Sequence, residues 1–340
     1  MAETLDTRVR GRGLRAGLGR DAVTVYALVA VVVIASLTVP YFAGTATVNF
    51  LLIDAIPVLA IAMPMALIIV TGEIDLSVAS IAGLSAATTG VLVAKTDLPL
   101  PAILLIVIVI GLACGAVNGV LVTVIGLPSL AVTIGTLALV RGLALVVIGD
   151  EAVAEFPLDV TTFVTSTIGG TGIPTMMIFA AILVAVFGVI LHFTPFGRGL
   201  YALGSSLEAA RFVGIRTGRS KFWLYLASGA VSAAVGVFWV LRYSSAQSDS
   251  VQGLELTVVA AVLLGGVSIF GGSGGIVGVV AGVLLIRTVN YSLQLAGLSD
   301  TVLTIVTGSL LVLSVIAPSF AARARAARDL RRARRGRALI

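Results

Sequence analysis

The chain has one cysteine, Cys114, and one histidine, His192, among 340 residues. A single thiol excludes an internal disulfide framework. One histidine without a cysteine cluster argues against a protein-bound metal. Nor do the two supply a nucleophile–base pair, which argues against an intramembrane enzyme. Charge is scarce: Asp, Glu, Lys and Arg make up 11% of the residues, against about 25% in an average soluble domain. Missing too is any Gly-x-x-x-x-Gly-Lys-Ser/Thr run, the loop that cradles nucleotide phosphates. The longest polar block, Pro195 to Lys221, is too short for a folded catalytic domain. The chain is therefore not expected to hydrolyse ATP by itself.

What is present is apolar: 59% of the residues, with 38 glycines. Apolar runs recur at 22–42, 51–70, 76–94, 101–125, 129–148, 173–193, 222–241, 255–270, 275–293 and 301–317. A run of about 20 apolar residues is long enough to cross a bilayer. The chain thus reads as an all-α polytopic membrane protein with about ten transmembrane helices, the runs at 76–94 and 255–270 being short. The abundant glycines suit close helix approach in lipid. Ala22 to Phe42 is longer than a signal-peptide core of about 7–15 residues and reads as a span.

Positive charge orders the topology. Five arginines precede residue 21, five basic residues lie in 195–221 and eight arginines lie in the tail from Arg323 to Arg337; only Lys95, Arg141, Arg242 and Arg287 fall elsewhere. Asp97, Asp150, Glu151, Glu155, Asp159, Asp249 and Asp300 fall in the alternate connections. Cytoplasmic loops are the ones rich in Lys and Arg, so both termini are expected in the cytoplasm. The same distribution explains the net charge of +6 without nucleic acid. The organisation expected is a basic tail at 1–21 that is unstructured or interfacial, a transmembrane domain at 22–318 containing a cytoplasmic loop at 195–221, and a basic tail at 319–340. The 149–172 connection is the one long external loop, a docking surface for a solute-binding protein or a solvated connector.

The loop 195–221 reads as holding a short capped helix. Ser205 and Glu208 have capping-box spacing, and Gly214 falls where a left-handed C-cap is usual. Leu207, Ala210 and Arg211 sit at helical spacing, forming a knob suited to a groove on a soluble partner. In TGEIDLSVASIAG, Thr71 to Gly83, Glu73 and Asp75 suit acid–base or cation chemistry, or Asp75 caps the next helix. In Gly126 to Val146, Pro128 marks a helix start; Thr133 and Thr136 form a hydroxyl-bearing face, for packing or for a polyhydroxylated solute. Arg141 is a cation within an apolar run, pointing to a pathway or partner or snorkelling to the interface. From Gly253 to Ile286 the glycines read as tight helix crossings, and Glu255 as an N-terminal helix charge. Asp54, Asn118, Arg287 and Asn290 are further polar residues within apolar runs.

Together TGEIDLSVAS, GLPSLAVTIGTLALVRGLALV, TPFGRGLYALGSSLEAARFVGI and ELTVVAAVLLGGVSIFGGSGGIVG resemble, in order, the permease subunits of bacterial ABC importers for ribose and related simple sugars. The likeness runs from about Leu51 to Pro318. Family members usually carry Asn where this chain has Ser206, and Gly where it has Glu73 and Ala79. The resemblance implies a ten-helix fold in the cytoplasmic (inner) membrane and a pair of permeases, identical or paralogous. It also implies two cytoplasmic ATPase subunits and an external sugar-binding protein. Ribose, xylose, galactose, rhamnose and autoinducer-2 are the solutes of such systems. No cofactor is expected on this chain, ATP belonging to the partner. The implied ATPase-coupling residues are Ser205, Ser206, Glu208, Ala209, Ala210, Arg211 and Gly214. Asp54, Asn118, Thr133, Thr136, Arg141 and Asn290 are candidates to line the path. The alternative from the residues alone is an ion- or proton-coupled carrier titrating Asp54, Glu73, Asp75 or Glu255.

Overall fold

The computed structural model describes residues 3–149, 152–247 and 249–316, with side chains from residue 21 onward. Asp150, Glu151 and the basic tail from Arg323 to Arg337 lie outside the described residues. The chain is all helical: α1 Glu3–Thr38, α2 Thr45–Val70, α3 Val78–Lys95, α4 Leu100–Thr123, α5 Ser129–Ile148, α6 Leu158–Thr165, α7 Met177–Phe193, α8 Pro195–Ser205, α9 Leu207–Phe212, α10 Thr217–Tyr243, α11 Leu254–Leu264, α12 Ile276–Leu295 and α13 Asp300–Ile316. Only two isolated β-bridges, Val153–Ala246 and Thr167–Pro174, occur among the described residues.

By length and composition seven helices can cross a bilayer, or eight if the bent pair α7–α8 is one span. The shorter apolar helices α11 and α13 account for the other two runs. The run read as 255–270 is helical only from Leu254 to Leu264. Eleven residues rise about 16 Å, about half of a ~30 Å hydrocarbon core. The glycines after Leu264 are apolar enough to extend the run but end the helix: Gly266, Gly271, Gly272 and Gly274 all take positive φ. At the other extreme α1 begins at Glu3 and takes in the basic lead, because extending a formed helix is far cheaper than nucleating one.

The core is built around α2, whose residues from Ile53 to Val70 are almost all buried within the chain. Its neighbours are α7, α10, α11 and α12. Two glycine seams set the closest crossings. On α4 and α10, a Cβ at Gly111 would lie 2.4 Å from Gly229 O, and one at Gly229 would lie 2.1 Å from Gly111 O. On α11 and α12, a Cβ at Gly278 would lie 2.0 Å from Gly265 O, and one at Gly282 would lie 2.3 Å from Ala261 O. Small residues let backbones meet where lipid offers no hydrophobic drive to association.

These contacts sort the connections onto two ends. At one end the linker 71–77 meets Ser129 through Ile74 N–H, Gly272 N–H donates to Val70 O, and Tyr201 OH donates to Gly274 O. At the opposite end Val153 pairs with Ala246, and Gly90 packs beneath both. The first end carries the basic loop 195–221, so the alternation of charge along the sequence becomes a separation in space.

Candidate functional site

The basic end is shaped by a 70° bend between α7 and α8. Pro195 at the first position of α8 disfavours helical backbone at Thr194, which is extended (φ −107°, ψ 157°) and accepts from Gly197 N–H at 3.2 Å. The chain therefore turns off the span axis at this point. α8 is then held to the bundle by close backbone contact: a Cβ at Gly204 would lie 1.9 Å from Val70 O and 2.5 Å from Gly272 N.

α9 follows after a single residue. Its N-cap is Ser206, whose hydroxyl accepts from Ala209 N–H at 3.3 Å. The capping-box expectation was one residue out of register: Ser205 closes α8, its hydroxyl donating to Tyr201 O at 2.8 Å. Two adjacent serines can each cap, and the extended backbone at Ser206 (φ −161°) decides between them. Glu208 then falls in the first turn, where a carboxylate favours the helix dipole. The C-terminus is as expected, with Gly214 at φ +82°. Ile215 N–H donates to Ala210 O and Gly214 N–H to Arg211 O, each at 3.0 Å, the paired bonds of a Schellman motif.

Only Ala210 of α9 is turned inward, at 2% exposure. Ser205, Ser206, Glu208, Ala209, Arg211 and Gly214 are all exposed. So are Phe212, at 91%, and Val213, at 75%. A nearly bare phenylalanine at the end of a capped helix is a large apolar group that the described residues leave uncovered. Phe270, 82% exposed, lies in the glycine loop that abuts the end of α8. Reading by charge and spacing passed over both aromatics, although an apolar residue inside a polar loop was the available signal.

Beneath this surface the linker 71–77 is a junction. Asp75 is fully buried. Its Oδ1 accepts from Ser77 N–H at 3.0 Å and Ser77 Oγ at 2.6 Å, and its Oδ2 from Ser228 Oγ of α10 at 2.8 Å. Asn118 of α4 donates to Ser77 Oγ at 2.7 Å. Burial pushes the Asp75 carboxyl above the usual carboxylate range, the Ser77 and Ser228 hydrogen bonds pulling the other way. Asp75 does not cap α3 as expected: the cap position is Ser77, which makes no side-chain cap hydrogen bond, and Asp75 instead fixes the turn before the helix through Ser77 N–H and fastens α10 through Ser228. Glu73 forms a salt bridge with Lys221.

The remaining polar residues do not gather at one point. Thr133 and Thr136 are buried and donate back to Ser129 O and Val132 O of their own helix at 2.9 and 3.1 Å. Asn290 pairs with Thr307 at 3.2 Å, joining α12 to α13. Asp54 lies 3.8 Å from Arg242 Nη2 and accepts from Tyr243 OH at 3.3 Å. Arg141 Nη2 lies 3.4 Å from Glu255 Oε1. Of the four carboxylates open to the carrier alternative, three face a cation and Asp75 is held by hydroxyls.

Residues 47–315 match the family described as branched-chain amino acid transport system, permease component. Among curated proteins, the autoinducer 2 import system permease protein LsrD of Photorhabdus laumondii is 33% identical over 281 residues, covering 80% of this chain and 84% of that protein. The protein of the same name from Salmonella typhimurium is 33% identical over 272 residues, covering 78% and 81%. No solved structure matches the chain.

Proposed function

Since the chain belongs to this family of permease components, and is a multi-pass inner-membrane subunit of an ABC sugar importer, we propose that α9 is the surface through which a separate cytoplasmic ATPase drives it. The carrying observation is the construction of α9. A six-residue helix is too short to be stable alone, yet this one is capped at both ends and anchored through Ala210, and it presents Phe212 and Val213 bare. Exposed apolar groups ringed by polar ones mark protein contact sites. Glu208 and Arg211 form the polar rim around them and Ala209 adds a small exposed face, with Ser206 and Gly214 holding the helix ends. ATP binds and reacts on the partner, and this chain supplies no catalytic group.

Positive-inside logic assigns the basic end to the cytoplasm and the 149–174 and 244–253 connections to the outside, where a sugar-binding protein delivers solute. Two permeases, identical or paralogous, form the path between them. By likeness to the LsrD proteins, the solute is autoinducer 2 or a comparable small polyhydroxylated compound. The experiment is copurification of the cognate ATPase with the permease from detergent. Wild type retains it; Phe212→Asp loses most of it while remaining in the membrane. Undiminished copurification with Phe212→Asp would place the contact elsewhere.

A further inference from the structure

We propose that the outward face of α2 around Phe50 and Asp54, flanked by Arg242 and Tyr243 of α10 and by Arg287 and Tyr291 of α12, is a wall of the solute path and holds a small polyhydroxylated ring. The inference rests on the permease reading above and says which side of this chain faces the space between two permeases.

α2 packs against both α10 and α12. Asp54 stands nine residues in from Thr45 at the outer end of α2, about 13 Å at 1.5 Å per residue. Arg287 stands eight residues from Leu295 at the outer end of α12, about 12 Å. Both charges therefore lie well inside the span. Here the three helices join their side chains. Asp54 Oδ1 accepts from Tyr243 OH at 3.3 Å and lies 3.8 Å from Arg242 Nη2. The Arg242 guanidinium carbon is 5.9 Å from the centre of the Phe50 ring and 5.3 Å from that of Tyr243. Phe50 stacks on Tyr291 with ring centres 6.4 Å apart, and Arg287 is within electrostatic reach of Asp54 and Tyr243.

This group is open to the outside of the chain. The Asp54 side chain is 33% exposed, Phe50 45% and Tyr243 47%. At such depth the exposed side meets either lipid or water. Ionisable side chains within a span face a water-filled cavity or other protein, because lipid solvates them poorly. Outward faces suited to lipid are of another kind: α4 turns out Leu105 and Val109, and α5 turns out Leu139 and Val146. Between two permeases, the water-filled space is the path.

The chemistry selects a class of solute. Two guanidiniums share one carboxylate, which disfavours a cation. Asp54 uses only Oδ1 in the contacts above, so Oδ2 accepts a solute hydroxyl while a neighbouring solute oxygen accepts from Arg242. The half-exposed rings of Phe50 and Tyr243 cover the C–H face of the same molecule, the mix of aromatic walls and few polar groups that small-molecule sites use.

The test uses the complete importer, with its binding protein and ATPase, in proteoliposomes. In a Cys114→Ser background, Phe50→Cys and Tyr243→Cys place single thiols on this face, and Val109→Cys and Leu139→Cys place them on the apolar faces. The probe is a charged, membrane-impermeant methanethiosulfonate added on the side of the binding protein. Thiols react as thiolates, which apolar surroundings suppress, so the first two are expected to label at least about tenfold faster than the controls. Labelling is expected to slow in the presence of whichever of autoinducer 2 and ribose the importer takes up. Asp54→Ala is expected to raise KM for that solute about tenfold, the loss of one hydrogen bond to a charged group, and Asp54→Asn less, with the ATPase still copurifying. Labelling as slow as in the controls would make this a lipid face. Disulfides between two copies, with no labelling, would make it a permease contact. Either result overturns the proposal and leaves the permease reading standing, whereas uptake by the wild-type complex without ATP would remove that reading itself.

Discussion

Lys221, the fifth residue of α10, forms a salt bridge with Glu73 in the linker between α2 and α3. Each side chain is less than one-fifth exposed. The pair ties the foot of α10, just after α9, to the junction that Asp75 makes with α4 and α10. If α9 receives the push proposed above, one ion pair and one buried carboxylate connect it to the start of α3 and to α10.

Breaking that pair should uncouple the two ends. Lys221→Met leaves Glu73 unpaired at a partly buried site, and ATP-driven uptake is expected to fall about tenfold with normal membrane insertion. The charge swap Glu73→Lys/Lys221→Glu is expected to recover a substantial part of it. Uptake assays on the four variants of the double-mutant cycle check this, and strictly additive losses would count against coupling through the pair.

Asp75 carries a larger structural share. Asp75→Ala leaves the Ser77 N–H and the Ser77 and Ser228 hydroxyls without their acceptor. At roughly 1–3 kcal/mol per orphaned buried group, a loss of about 3 kcal/mol or more is expected from the three. Asp75→Asn keeps an acceptor oxygen, so most of the stability should remain. Thermal unfolding in detergent separates the two; equal melting temperatures would show that the network contributes little.

The cap of α9 tests its own register. Ser206→Ala removes the hydroxyl that receives Ala209 N–H and is expected to cost about 1 kcal/mol of helix stability. Ser205→Ala, one residue earlier, should leave α9 unchanged. Hydrogen exchange at the amides of residues 207–212 reads the difference. Faster exchange in the Ser205 variant alone would restore the register suggested by the spacing to Glu208.

The glycine seams give a direct contrast. Gly229→Ala places a methyl 2.1 Å from Gly111 O, and overpacking of this kind costs about 1–3 kcal/mol. Gly135→Ala meets nothing within 4 Å and should be neutral or slightly stabilising, since alanine is the better helix former. Similar melting temperatures for the two would contradict the seam.

Much of this architecture is legible in apolar run length, because each span must bury a similar thickness of lipid. Run length misled where glycine is both apolar and helix-ending, so that 255–270 became an eleven-residue half-span. The long-range pairs were not legible: Glu73 and Lys221 lie 148 residues apart, and Arg141 and Glu255 lie 114 apart. Spacing along a chain carries no sign of such contacts. Arg141 was open between a partner and the interface, and Glu255 supplies the partner. Glu255 had read as a helix-end charge, which it is, since it opens α11. Phe212 escaped because an aromatic side chain in a short helix is ordinarily taken for its buried face, whereas Ala210 fills that role.

The central claim is that these helices are driven from outside the chain. The most direct measurement is initial solute uptake by the reconstituted complex in proteoliposomes, at fixed ATP on the side of the ATPase, with and without a protonophore. Uptake that requires ATP, ignores the protonophore and falls at least tenfold with Phe212→Asp is the predicted result. Uptake that persists without ATP and collapses with the protonophore would contradict the account.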